Sequence, residues 1–190
     1  MTGPDDPIFP TALATALWLL LPAGAANMAP VIAAWCLPSW SLPVDLGYSL
    51  GGKRVFGSHK TWRGMGAGVL AGGAAVLLLQ RLPGAIPAVR DVLAGPEWKQ
   101  FSPMFGAWIG LGALSGDLAK SFAKRRCAIP PGASWPPFDQ IDWLIGALAF
   151  AWPFLSLSGG IVLFVLLAGL ALHVTSHALG RALGLNRSWI

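Results

Sequence analysis

The sequence predicts an all-α, polytopic membrane protein with five transmembrane helices, and three observations carry that expectation. Of 190 residues, 55% are hydrophobic and only 11% charged, whereas a soluble domain carries about a quarter charged residues. Apolar runs long enough to cross a hydrocarbon core, roughly 20 residues each, stand at about 10–36, 64–80, 103–123, 141–157 and 160–183. The basic residues cluster between alternate runs, as they do where one face of a membrane protein is cytoplasmic. The five runs use most of the chain, so 1–190 reads as one integral-membrane domain. Helices are expected because a bilayer cannot satisfy open backbone groups, and these runs are too long and uniformly apolar for barrel strands.

Taken in order, the first run sits where a signal peptide would but lacks a basic n-region and a small-residue cleavage site, so it reads as a retained helix. The loop 37–63 follows, introduced by Pro38 and Pro43 and punctuated by Gly51, Gly52 and Gly57. The second run carries Gly64, Gly68 and Gly72, and the third carries Gly106, Gly110, Gly112 and Gly116. Small residues at four-residue spacing let helix backbones approach closely in lipid. Between these runs, 81–102 holds Pro83, Pro87 and Pro96 and reads as a connection without chemistry. A second polar loop, 124–140, precedes the last two runs.

The net charge of +5 raises nucleic acid as a partner, and the placement of the charges decides against it. Lys53, Arg54, Lys60 and Arg63 follow the first run, Lys120, Lys124, Arg125 and Arg126 close the third, and Arg181 and Arg187 end the chain; only Arg81, Arg90 and Lys99 lie elsewhere. With five crossings these groups share one side, the cytoplasmic one, with the C-terminus; the N-terminus, bearing Asp5 and Asp6, lies outside. Cys36 and Cys127 have no neighbouring cysteine at ligand spacing and read as free thiols. No repeat of 20–50 residues is visible, which argues against a transporter built from two similar halves.

Three strings offer chemistry. In GDLAKSFAKRR (116–126), Asp117, Lys120, Ser121 and Lys124 share one helical face. An ionisable residue this close to lipid is a functional candidate, although an internal Asp–Lys pair with snorkelling bases also accounts for it. In WPPFDQID (135–142), Asp139 and Asp142 are three apart. If that stretch is helical, they present two hard oxygen ligands on one turn, which suits Mg²⁺; helix capping is the competing account, and it fits Asp139 better than Asp142. In GGKRVFGSHKTWRG (51–64), glycines interleave with Lys53, Arg54, Lys60, Arg63, Ser58 and Thr61, as in a phosphate cradle. It is no Walker loop, because Ser58 and His59 stand between glycine and lysine and no strand precedes it. The alternative is a basic loop touching anionic lipid heads.

All three strings fall on the same face of the membrane. Carboxylates, bases and flexible backbone together point to a metal-bound polyphosphate. His173 and His177, at i and i+4, read as imidazoles hydrogen-bonded across helices rather than as metal ligands. Trp35, Trp40, Trp62, Trp135 and Trp189 read as interfacial anchors.

The sequence resembles the CDP-archaeol synthase family, integral-membrane cytidylyltransferases related to the CDP-diacylglycerol synthases. The likeness runs in order through PAGAANMAP (22–30), PVDLG (43–47), the 51–64, 116–126 and 135–142 strings, and HVTSHALGRALGLNRSWI (173–190). The stretch joining the first blocks is short, Pro-rich and Trp-containing, and the start TGPDDP departs from the family pattern. The resemblance implies a nucleotide site shaped by the loops 37–63 and 124–140. It places Asp117, Asp139 and Asp142 in a metal-handling set beside Lys120 and Lys124, with Lys53, Arg54, Lys60, Arg63, Lys124 and Arg125 facing phosphates. Thr61, Ser121, Arg126 and Gln140, within the same strings, join the nucleotide-binding candidates, and Asn27 is a polar contact in the lipid-facing cavity.

The expected enzyme therefore takes CTP and Mg²⁺ and a phosphorylated lipid from the inner leaflet, releases pyrophosphate, and leaves a CDP-lipid in the cell membrane. A phosphatidate cytidylyltransferase making CDP-diacylglycerol is the alternative within the same chemistry. A small anion transporter or channel is the alternative from another class.

Overall fold

The structure, a computed structural model, describes residues 8–86, Leu93, 101–130 and 132–182, apart from the side chains of 8–11, 83 and 176–182. Arg90, Lys99, Arg187, Trp189, the acidic N-terminus and most of the 81–102 connection lie outside the described residues, as do the side chains of His177 and Arg181.

Five helices stand among the described residues: α1 (Ile8–Cys36), α2 (Trp62–Ala85), α3 (Pro103–Arg126), α4 (Phe138–Ala151) and α5 (Gly159–Ala182). The fold is thus helical as expected, with one addition. The first loop contains a two-stranded antiparallel hairpin, β1 (Ser49–Leu50) and β2 (Lys53–Arg54), turned by Gly51 and Gly52 at positive φ.

Helix boundaries moved where capping and proline act. α2 begins at Trp62, two residues before the apolar run, because the Thr61 hydroxyl accepts the Gly64 N–H at 3.2 Å and caps the helix. That places Arg63 in the first turn of α2 rather than in the loop. α4 was expected over 141–157 and instead covers Phe138–Ala151; Pro153, just beyond it, cannot continue a helix. At 14 residues it is about 21 Å long, shorter than a hydrocarbon core.

α1 over Ala12–Cys36 and α2 over Trp62–Leu82 are long and apolar enough to cross a membrane, and α5 has a shorter apolar stretch, Gly159–Thr175. α1 contains Pro22 and Pro30, which membrane helices tolerate when neighbours re-satisfy the backbone. Large apolar side chains face outward on several helices, among them Met28, Val31, Trp35, Leu70 and Met104. The interior is built from Leu19, Ala23, Ile109, Ala113, Trp143, Leu144 and Val165.

The glycine spacing does what it predicted. A Cβ on Gly68 would stand 2.6 Å from Leu114 and 2.7 Å from the Ala26 carbonyl, so α2 lies hard against both α1 and α3. Gly72 meets the backbone at Gly106. Gly112 and Gly116 meet α4 at Gly146 and Asp142, where a Cβ on Gly112 would stand 2.7 Å from the Gly146 carbonyl. The α3–α4 contact is therefore backbone on backbone, and it holds the C-terminal half of α3 beside the first turns of α4.

Candidate active site

That contact brings the three predicted carboxylates together. Lys120 Nζ on α3 lies 3.2 Å from Asp117, 3.2 Å from Asp139 and 2.7 Å from Asp142. Asp117 also pairs with Lys60 from the first loop. Asp139 takes Lys124 at 2.7 Å, and the same ammonium donates to the Ala133 carbonyl at 2.8 Å. Three carboxylates and three ammonium groups thus form one continuous network at one end of the bundle. Asp142, Lys124 and Ser121 are buried, while Asp117, Asp139 and Lys120 keep partial access.

Asp139 stands in the first turn of α4, where the helix dipole favours a carboxylate, but it is not the N-cap. The N-cap position of α4 is Pro137, without a side-chain cap, and Asp139 accepts the N–H of Trp135, upstream of its helix, beside the two lysines.

Two cavities open against this network. The larger, about 360 Å³, lies between α1, α2 and α3, walled by Asn27, Val31, Thr61, Arg63, Leu114 and Asp117. The smaller, about 180 Å³, is basic and polar, walled by Gly57, Ser58, Lys120, Ser121, Lys124 and Arg125. His59 and Lys60 line both. Arg125 Nε, at the smaller cavity, is buried without a hydrogen-bond partner among the described residues, which leaves polar capacity for a ligand there; Gln140 Oε1 is also buried and unpartnered among them, but Gln140 lines neither cavity.

Comparison with known proteins shows the family. The CarS-like family, CDP-archaeol synthase, matches residues 9–190. A CDP-archaeol synthase of Halobacterium salinarum is 36% identical over 177 residues, covering 90% of this chain and 93% of the relative. One from Thermococcus onnurineus is 39% identical over 164 residues, covering 86% and 88%. The chain belongs to the CDP-archaeol synthase family. A solved structure described as an intramembrane enzyme for archaeal membrane lipid biosynthesis superposes with a TM-score of 0.67 at 34% identity, covering 86% of this chain and 92% of that one. As a CDP-archaeol synthase family member, the chain is an enzyme, a CTP-dependent lipid cytidylyltransferase, and its apolar helices fit a membrane protein.

Against this family assignment, the expected phosphate-facing set divides. Lys60, Lys120, Lys124 and Arg125 line the cavities, as do Thr61, Ser121 and Asn27. Arg54 does not: its guanidinium grips Asp45, with Nε 3.3 Å from Oδ2 and Nη2 on Oδ1. Arg126 does not either, since it donates to the carbonyls of Leu50, Lys53 and Arg54, the last two at 3.0 Å, and stacks over Phe122. Lys53 is exposed on the hairpin, and Arg63, although it lines the larger cavity, donates to the Leu37 carbonyl. Arg54 thus ties the first loop to itself, Arg126 ties it to α3, and Arg63 bonds the end of α1 from the wall of the larger cavity.

The residue that the sequence reading left without a role is Asp45. Its side chain is fully inaccessible, and it accepts from the N–H groups of Gly47 (3.1 Å), Phe56 (3.1 Å) and Gly57 (3.0 Å) as well as from Arg54. Burial pushes its carboxyl up, but Arg54 and the three amides outweigh that and hold it far below the usual carboxylate range. One signal pointed to it: Asp45 is the only acidic residue between 37 and 63, among four bases. Cys36 and Cys127 are free and exposed, as expected.

Proposed function

We propose that the chain joins CTP to the phosphate of an ether-linked membrane lipid of the archaeol type, and that the observation carrying this reading is the pair of cavities sharing His59 and Lys60 as a common wall. The basic cavity takes the triphosphate, against Lys120, Lys124, Arg125 and Ser121. The larger, partly apolar cavity takes the lipid phosphate, with Asn27 and Thr61 as polar contacts. The two substrates then meet where the cavities meet.

In the reaction, an oxygen of the lipid phosphate attacks the α-phosphorus of CTP. A new phosphoanhydride bond forms, the bond from the α-phosphorus to its bridging oxygen breaks, and pyrophosphate leaves. A phosphate monoester is already a competent nucleophile, so positioning and charge compensation dominate. Lys60, Lys120 and Lys124 stabilise the charge that spreads over the phosphoryl oxygens.

The donor set suits Mg²⁺ only together with substrate phosphates, since among the described residues no group of three or more His, Cys, Asp or Glu side chains is arranged to hold a metal ion alone. Oxygens of Asp117, Asp139 and Asp142 all lie within 3.2 Å of one point, the Lys120 ammonium, and Mg²⁺ is usually held by one or two carboxylates together with substrate phosphates. Asp139 and Asp142 would hold the ion, with Asp117 as a further ligand or as the partner that keeps Lys60 and Lys120 in place. An ion held there would supply positive charge to offset that on the leaving pyrophosphate.

In the membrane, the proposed arrangement is five crossings with the N-terminus outside, and the cavities and C-terminus on the cytoplasmic side. CTP enters from the cytosol and the lipid from the inner leaflet. The test is to incubate purified protein with CTP, Mg²⁺ and a panel of ether-linked and ester-linked lipid phosphates. Preferred conversion of the ether-linked lipid supports the reading. Equal or better use of phosphatidate replaces it with CDP-diacylglycerol synthesis.

A further inference from the structure

We propose that Asp45 is a positioning residue for CTP: an internal anion around which the glycine-rich loop folds, so that Ser58, His59 and Lys60 stand ready at the smaller cavity. The loop backbone has positive φ at Leu46, Gly47, Gly51, Gly52 and Gly57, and it closes on the Asp45 carboxylate. Three of its N–H groups and the Arg54 guanidinium converge there. The string that reads as a cradle for a substrate phosphate is in part a cradle for its own carboxylate.

Two links carry this order to the site. Phe56 and Gly57, which donate to Asp45, directly precede Ser58, His59 and Lys60 in the cavity wall. Next to Asp45 on its other side, the Val44 N–H donates to the Lys60 carbonyl at 2.7 Å, within a short pairing that also joins Pro43 to Thr61. A displacement of Asp45 therefore moves the backbone that aims Lys60 at Asp117. From outside, Arg126 at the end of α3 holds three hairpin carbonyls and sets the whole loop against the helix that bears Lys120 and Lys124.

Without the internal anion, Lys53, Arg54, Lys60 and Arg63 repel one another, and the incoming triphosphate has to order the loop itself. Such ordering is paid from binding energy, so it raises KM for CTP. Once CTP is saturating, the same side chains surround it and turnover recovers. A merely structural role predicts the opposite split, with less active enzyme and an unchanged KM.

The proposal rests on assigning the smaller cavity to the triphosphate, and the experiment separates the two. The full-length protein in detergent is prepared as Asp45→Asn, Arg126→Gln and Lys124→Ala, and KM for CTP, kcat and hydrogen exchange over residues 46–60 are measured. Asp45→Asn and Arg126→Gln are expected to raise KM for CTP about tenfold with kcat within about twofold, and to speed exchange in the loop. If Asp45→Asn does not fold, Arg126→Gln tests the same loop ordering from outside, because among the described residues Arg126 holds the hairpin carbonyls and stacks over Phe122; unchanged KM for CTP and unchanged loop exchange there overturn the proposal. An unchanged KM in these variants, with a raised KM in Lys124→Ala, overturns the role of Asp45 and leaves the cavity assignment standing. An unchanged KM in Lys124→Ala as well overturns both.

Discussion

Two clusters of charge lie within the same end of the molecule, and they are built on opposite plans. Around Asp45, one carboxylate meets one guanidinium and three backbone amides, all from residues 47–57, and its side chain has no access to solvent. Around Lys120, three carboxylates from two helices meet ammonium groups from α3 and from the first loop, and the network opens onto two cavities. The first is closed upon itself, so a ligand has nothing to gain there. In the second, Lys120 meets three carboxylates and Asp117 and Asp139 meet two lysines each, pairings that a phosphate or a cation can replace. Saturation of hydrogen bonding, more than the number of charges, separates scaffold from site in this protein.

The comparison breaks most readily at the second cluster. Asp142→Asn or Asp139→Asn is expected to lower CTP-dependent product formation about 10²–10³-fold while the protein stays folded, as read by size-exclusion behaviour in detergent; near-normal turnover in both would remove the metal-binding assignment. Lys120→Met leaves three carboxylates facing one another, and breaking a largely buried ion network costs about 3–5 kcal/mol, measured as a fall in melting temperature larger than that of any single aspartate variant. A smaller effect sharpens the contrast from the other side. Because the Asp45 carboxyl is depressed in the folded loop, its contribution to stability is complete above the unfolded carboxylate value, near pH 3.9, and is lost as pH falls through the depressed folded value. Loop protection, taken as exchange relative to the intrinsic rate at each pH, should therefore hold steady from pH 7 to about pH 4; a loss of protection with a midpoint near neutrality would contradict the pairing. Lys53→Ala should do least, changing KM for CTP by less than about twofold, since an exposed lysine outside the cavities contributes little.

Much of this was legible before any coordinates. A solvent that cannot satisfy backbone groups favours helices, and the five apolar runs overlap the five helices among the described residues; α4 departs furthest, starting at Phe138 and ending at Ala151, before Pro153. Glycine spacing named the closest helix contacts because only absent side chains let backbones meet. Asp117, Asp139 and Asp142 stood out because carboxylates at the ends of apolar helices demand partners. The roles of the arginines were not legible. A guanidinium in a basic loop looks the same whether it meets a substrate or the chain, and Arg126 finds its partners 72–76 residues away in sequence. Lys60 reaches Asp117 across 57 residues, a pairing that the helix packing creates.

The meeting of Gly112 and Gly116 with Gly146 has a mechanical consequence. Where two backbones touch with no side chains between them, there is no soft layer to compress or slide, so α3 and α4 behave as the fixed jaw of a vice. Asp117, Lys120, Asp139 and Asp142 all ride on that jaw, and their mutual spacing is set by main-chain contact. The first loop, by contrast, brings Lys60 to the acidic group from a backbone ordered separately, around Asp45 and against Arg126.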